Sequence, residues 1–152
     1  MVDYEINDKT FAILPLNKRS CKIIENNKTY VVNKSVKKIM EDSCEYFGSS
    51  LEGRQRGTTK LTGITHKVPI IVEESKEIIF FPTSSPRLED CSWISLNNIL
   101  RYFQEENYLI VEFKNKIRIK LDISYGIFDN QVLRSTRLES AIRNRKKLLL
   151  KS

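Results

Sequence analysis

An α+β fold, built on a mostly antiparallel, curved sheet with helices packed against it, is predicted by three observations in this 152-residue chain. Short runs rich in β-branched and aromatic residues recur between polar breaks, as strands do. Two pairs of such runs flank turn residues, at Asn26-Asn27 and around Asn115, where positive φ angles close a tight hairpin. Three other stretches carry apolar residues at helical spacing.

Thr10 to Pro15 is short and apolar, and Cys21 to Glu25 with Lys28 to Val32 forms the opening hairpin. Ser35 caps a first short helix in which Val36, Ile39, Met40, Cys44 and Phe47 recur until Gly48 stops it. From Ser43 to Thr58 this helix runs into a loop punctuated by Gly48, Gly53 and Gly57 and carrying Arg54 and Arg56. Thr58 to Ile64, Val68 to Val72 and Ile78 to Phe81 read as extended, and Pro82 and Pro86 enforce a turn into an ordered loop up to Ser92. Ser95 to Glu105, with Leu96, Ile99, Leu100 and Phe103, reads as a second short helix capped by Ser95. Tyr108 to Phe113 and Lys116 to Ile123 form another hairpin, in which Ile117, Ile119, Leu121 and Ile123 alternate with Arg118, Lys120 and Asp122. A long basic helix over about 127–149 closes the chain, with Phe128, Val132, Leu138, Ile142 and Leu149 on one stripe and Arg134, Arg137 and Arg145 along its border. Trp93 and Phe128 are expected in the core. Closure of the sheet into a partial barrel capped by this helix satisfies the order of elements.

The length fits a single domain spanning residues 1–152, with no internal repeat. No apolar run reaches membrane-spanning length and the N-terminus lacks a signal-peptide pattern, so a cytoplasmic protein is expected. Cys21, Cys44 and Cys91 lie far apart without a Cys-x-x-Cys pair, which argues against disulfides and zinc and for buried small hydrophobes; no metal or other cofactor is expected. Charge is partitioned unevenly: residues 1–50 carry +1, residues 51–70 carry +3, residues 71–133 carry −3 and residues 134–152 carry +6. The excess in the glycine loop and the C-terminal segment is the footprint of a polyanion binder.

Gly48 and Gly53 have the spacing of a nucleotide-binding P-loop, but Arg54 and Gln55 replace the required Lys and Ser/Thr, and the segment follows a helix. Two readings of the loop stand: a solvated surface turn, or an anion-contacting loop whose arginines present forked donors. His66 with Cys44 is a weak pattern for thiol chemistry, since no orienting Asn or Asp is identifiable, and no catalytic residue is expected. A basic module binding anionic lipid or an acidic protein is the reading from another functional class.

Four segments in register resemble one family: Ser43-Cys44-Glu45-Tyr46-Phe47-Gly48-Ser49-Ser50 with Gly53-Arg54 and Gly57-Thr58; Ile64-Thr65-His66-Lys67-Val68-Pro69-Ile70; Phe80-Phe81-Pro82-Thr83-Ser84-Ser85 with Cys91 and Trp93-Ile94-Ser95; and Ile123-Ser124-Tyr125 with Phe128, Asn130-Gln131-Val132 and Arg134. Over roughly residues 4–145 the chain resembles the ComK family of competence transcription factors of Gram-positive bacteria. The resemblance implies a non-enzymatic, nucleoid-associated activator of DNA-uptake genes. It also implies binding to A/T-rich double-stranded DNA largely through the minor groove, homodimers that pair to tetramers on DNA, and RNA polymerase as a further partner. Longer members continue into a tail that engages a protease adaptor; this chain stops at Lys151-Ser152, so adaptor control is not expected of it. The minor groove of A/T tracts displays only acceptors, which suits cationic donors on a slender loop. The DNA-contacting candidates are Ser49, Ser50, Arg54, Gln55, Arg56, Lys60, Lys67 and Asn130, with Arg134, Arg137, Arg145, Lys146 and Lys147 on the last helix neutralising phosphates.

Overall fold

The computed structural model describes residues 3–151. Nine strands and three helices follow one another as β1 (Thr10–Asn17), β2 (Ser20–Glu25), β3 (Thr29–Val32), α1 (Val36–Tyr46), α2 (Leu51–Thr62), β4 (Ile70–Glu73), β5 (Ile78–Pro82), β6 (Trp93–Ser95), β7 (Ile99–Glu105), β8 (Tyr108–Phe113), β9 (Arg118–Leu121) and α3 (Tyr125–Lys151). Six strands form one sheet in the order β3-β2-β1-β6-β5-β4, and three form a second in the order β7-β8-β9; all neighbours are antiparallel. The α+β class holds. The larger sheet ends at β3 and β4, so it is open rather than a closed barrel.

Successive residues of a strand point to opposite faces, and the large sheet buries both. Ile13, Ile23, Phe80 and Trp93 pack with Ile39, Met40 and Cys44 of α1 on one side. Their neighbours Ala12, Ile24, Phe81 and Ile94 pack with Leu109, Val111 and Phe113 of the second sheet and Phe128 of α3 on the other. This explains why the strands read as continuous apolar runs instead of alternating ones. A third cluster, Ile71 and Ile79 with Leu138 and Ile142, fixes α3 over the β4–β5 hairpin; Leu61 of α2 and Leu96 pack against it. Both hairpins expected from the Asn turns form, and Trp93 and Phe128 are fully buried.

Two expectations are overturned. The glycine segment and most of Thr58 to Ile64 form α2 instead of a loop and a strand. Ser50 caps the helix by accepting a 2.9 Å bond from the Gly53 N–H, and Gly63 ends it in the left-handed conformation at φ 80°. Interior glycines cost about 1 kcal/mol each relative to alanine; burial of Leu51 and the bond from the buried Thr58 hydroxyl to the Pro69 carbonyl work against that cost. Ser95 to Glu105 is not a helix. It is split between β6 and β7 because Asn98 bridges the Ser95 hydroxyl and the Thr10 carbonyl, and Ile99 onward then pairs with β8. The C-terminal helix forms as expected, but Leu149 leaves the apolar stripe and is 68% exposed.

Candidate nucleic-acid interface

Because α2 is a helix, residues two apart along it diverge by about 200°, and Arg54 and Arg56 lie on different faces. Arg56 is on the solvent side with Glu52 and Lys60, its guanidinium 3.8 Å from the Glu52 carboxylate. Arg54 turns inward, and its Nε is buried with no hydrogen-bond acceptor among the described residues. Ser49 is half-buried, Ser50 is exposed and spent on capping, and Gln55 is half-buried beside Arg56.

The segment that joins α2 to β4 is the slender element of this region. Its backbone carbonyls are seized one after another by side chains. Arg137 donates to the carbonyl of Thr62, Thr59 to that of Ile64 at 2.6 Å, Arg134 to that of His66, Gln131 to that of Lys67 at 3.0 Å, and Thr58 to that of Pro69 at 2.7 Å. Gln131 is fully buried and also donates to the Pro82 carbonyl at 2.7 Å, while its own oxygen accepts from Arg134. Burial, followed by the neighbouring charge of Arg137, lowers the Arg134 pKa; arginine remains charged regardless. Lys67 sits at φ 46°, a left-handed conformation that a non-glycine residue keeps only when its surroundings dictate it. With the carbonyls turned inward, Thr65 and His66 stand exposed on a rigid loop.

A groove of about 360 Å³ runs between α2, this loop and the turn after β5, and its cationic lining is Arg56, Lys67 and Arg87, with His66, Gln55 and Thr59 between them. Lys60 is exposed on the solvent side of α2. Among the described residues, the side chains of Lys60, Lys67 and Arg87 form no ion pair and no hydrogen bond. Arg87 is a contributor that the sequence reading missed. The signal was Pro82 and Pro86, whose turn brings Arg87 back against the loop.

The cations of α3 are employed differently. Arg134 and Arg137 hold loop carbonyls, Arg145 pairs with Glu74, and Lys146 donates to the Glu74 carbonyl at 3.1 Å. Arg143 forks onto Glu77 at 2.8 and 2.9 Å. Lys147 and Asn130 are exposed, and neither forms a side-chain hydrogen bond among the described residues. The structure thus gathers Gln55, Arg56 and Lys67 of the candidate set along one groove, and leaves Arg54, Arg145, Lys146 and Lys147 outside it.

Cys44 and His66 do not form a reactive pair: Cys44 is completely buried while His66 is exposed. Burial pushes the Cys44 thiol up to about 11, against the smaller opposing pull of the Arg54 charge, which leaves no thiolate at neutral pH. Cys21 and Cys91 are likewise free and buried. Among the described residues no cluster of His, Cys, Asp and Glu could hold a metal ion, and no helix is long and apolar enough to cross a membrane.

The ComK protein family model matches residues 1–147. The competence transcription factor of Bacillus subtilis (strain 168) is 39% identical over 146 residues, covering 93% of this chain and 76% of that protein. No solved structure matches the chain. The match spans the clamped loop, the groove and nearly all of the helix that braces them, and the chain belongs to the ComK family.

Proposed function

We propose that this chain is a DNA-binding transcriptional activator of DNA-uptake genes that recognises A/T-rich boxes through the minor groove, with the Gly63–Pro69 loop as the reading element. An α-helix with its side chains is about 10–12 Å across, whereas the B-form minor groove is about 6 Å wide. Arg56 and Lys60 on α2 therefore serve the phosphates at the rim, together with Arg87. His66 and Lys67, on the narrow loop, reach the acceptors on the groove floor. The observation that carries this reading is the clamping of five carbonyls between Thr62 and Pro69, which turns an acceptor-rich loop into one that offers outward donors. Preorganisation of this kind removes the ordering cost of binding.

In the same reading the protein acts as a homodimer that pairs on DNA and contacts RNA polymerase once bound. The test is a fluorescence-anisotropy titration of A/T-rich and G/C-rich duplexes at two salt concentrations, with a minor-groove ligand as competitor and anionic vesicles as a parallel arm. The expected result is tighter binding to the A/T duplex, displacement by the competitor, and affinity that falls steeply with salt. Equal affinity for both duplexes, or binding to vesicles alone, overturns it.

A further inference from the structure

On the opposite face of α2 from the groove, a crevice of about 100 Å³ lies along the seam with α3. Gly53 and Gly57 are one turn apart on its α2 wall, and a Cβ placed at Gly57 would meet nothing within 4 Å. Arg54 reaches in from α2 and Arg145 from α3, with Ser49 at one end and Leu61, Ile71 and Leu138 forming an apolar lining. Arg145 gives its Nη2 to Glu74, the carboxylate at this edge of the seam. Arg54 has no such partner among the described residues, although its Nε is buried. A buried donor left unpaired costs about 1–3 kcal/mol, so in a folded protein such a group calls for a partner, a water or an ion.

The chemistry of the occupant follows from the walls. Two guanidinium groups from different helices offer forked donors that match a tetrahedral oxyanion, and the apolar lining strengthens such charge-assisted bonds. The volume admits a single oxyanion and excludes a nucleoside. We propose that this crevice binds one phosphate group between Arg54 and Arg145, tying α2 to α3. Free inorganic phosphate and a DNA backbone phosphate share this chemistry, and the position away from the Arg56 groove favours the free ion. The site is independent of the minor-groove reading.

The test compares thermal unfolding of the full chain in inorganic phosphate and in chloride at matched ionic strength. Wild type, Arg54→Leu, Gly57→Ser and, as a general-charge control, Lys22→Gln are each also titrated with the A/T duplex. Phosphate is expected to raise the wild-type midpoint by about 3 °C over chloride, and the rise is expected to persist in Lys22→Gln. It should vanish in Arg54→Leu, which removes the donors, and in Gly57→Ser, which fills the crevice without an initial clash. Should Arg54→Leu fail to fold, Gly57→Ser carries the comparison alone. Unchanged duplex affinity in the variants assigns the site to free phosphate; a parallel loss of duplex affinity with a shallower salt dependence assigns it to DNA backbone. A wild-type midpoint that is the same in both salts, or a rise that survives in Arg54→Leu or Gly57→Ser, overturns the site.

Discussion

The last helix and the groove beside α2 are both basic, yet they use their cations in opposite ways. Residues 134–152 carry +6 and residues 51–70 only +3. In α3, Arg134, Arg137, Arg143, Arg145 and Lys146 all direct donors at the protein's own carbonyls or carboxylates. Beside α2, among the described residues, Lys60, Lys67 and Arg87 direct theirs at no partner, and Arg56 has only an exposed glutamate at 3.8 Å. Charge counted along a sequence measures the field around a molecule; it does not measure how many donors remain for a ligand. The α3 arginines keep their charge and still steer a polyanion towards the protein. The contact chemistry of Arg134 and Arg137 is already spent on holding the loop that the groove is made from, and Arg143 and Arg145 give donors to Glu77 and Glu74 of the β4–β5 turn.

The sharpest way to probe this division is at Gln131, where the two regions meet. Gln131→Leu strips donors from the Lys67 and Pro82 carbonyls and the acceptor from Arg134. A loss of about 2–4 kcal/mol of stability is expected from the orphaned buried groups, measured by urea unfolding. Preference for A/T over G/C duplex should fall with it. A destabilised protein that keeps its preference would show that the loop is not the reader.

Next in size is the contrast between Arg134→Ala and Arg56→Ala. Arg134→Ala is expected to cost about 1.5–3 kcal/mol, the worth of charged hydrogen bonds, and to weaken DNA binding with little change in its salt dependence. Arg56→Ala should leave stability within about 0.5 kcal/mol and reduce the salt slope by about 1. The opposite pattern would mean that the two regions have exchanged roles. Smaller still, Lys147→Gln should weaken A/T and G/C duplexes alike, as an exposed cation near a phosphate would.

Much of the fold was legible because burial on both faces of one sheet writes itself as apolar runs, and Asn turns mark the hairpins. The misreadings have definite physical sources. Thr58, Thr59 and Thr62 are β-branched and suggested a strand, but their hydroxyls bond the carbonyls of Arg54, Gln55 and Thr58 within the helix. Thr58 and Thr59 also reach the loop, so these residues serve a tertiary contact that no propensity scale contains. Leu96, Ile99, Leu100 and Phe103 fit a helix equally well until β8 supplies the partner for β7. At the site, the arginines were visible as charge, whereas their faces depended on whether the chain around them was loop or helix. Arg54 and Arg56 were grouped as neighbours in a loop and are separated by the helix that replaced it.

The mildest expected effect concerns the tie between Arg143 and the β4–β5 turn. Its two bonds to Glu77 hold that carboxyl below its ordinary 4.5, against the opposing effect of burial. A carboxyl depressed in the folded state stabilises at pH values above its unfolded pKa, and that contribution fades as pH falls through the folded value. Arg143→Gln should therefore lower the urea midpoint slightly at about pH 7 and by less at about pH 3, because the contribution shrinks below the unfolded pKa and disappears as Glu77 is protonated in the folded protein. Glu139 also lies within reach of Arg143, at 3.6 Å. DNA affinity at neutral pH should change little, since these donors already face the protein. If instead stability were unaffected at both pH values and duplex affinity dropped, Arg143 would be a free phosphate contact, and the last helix would have to be counted with the groove as part of the binding surface.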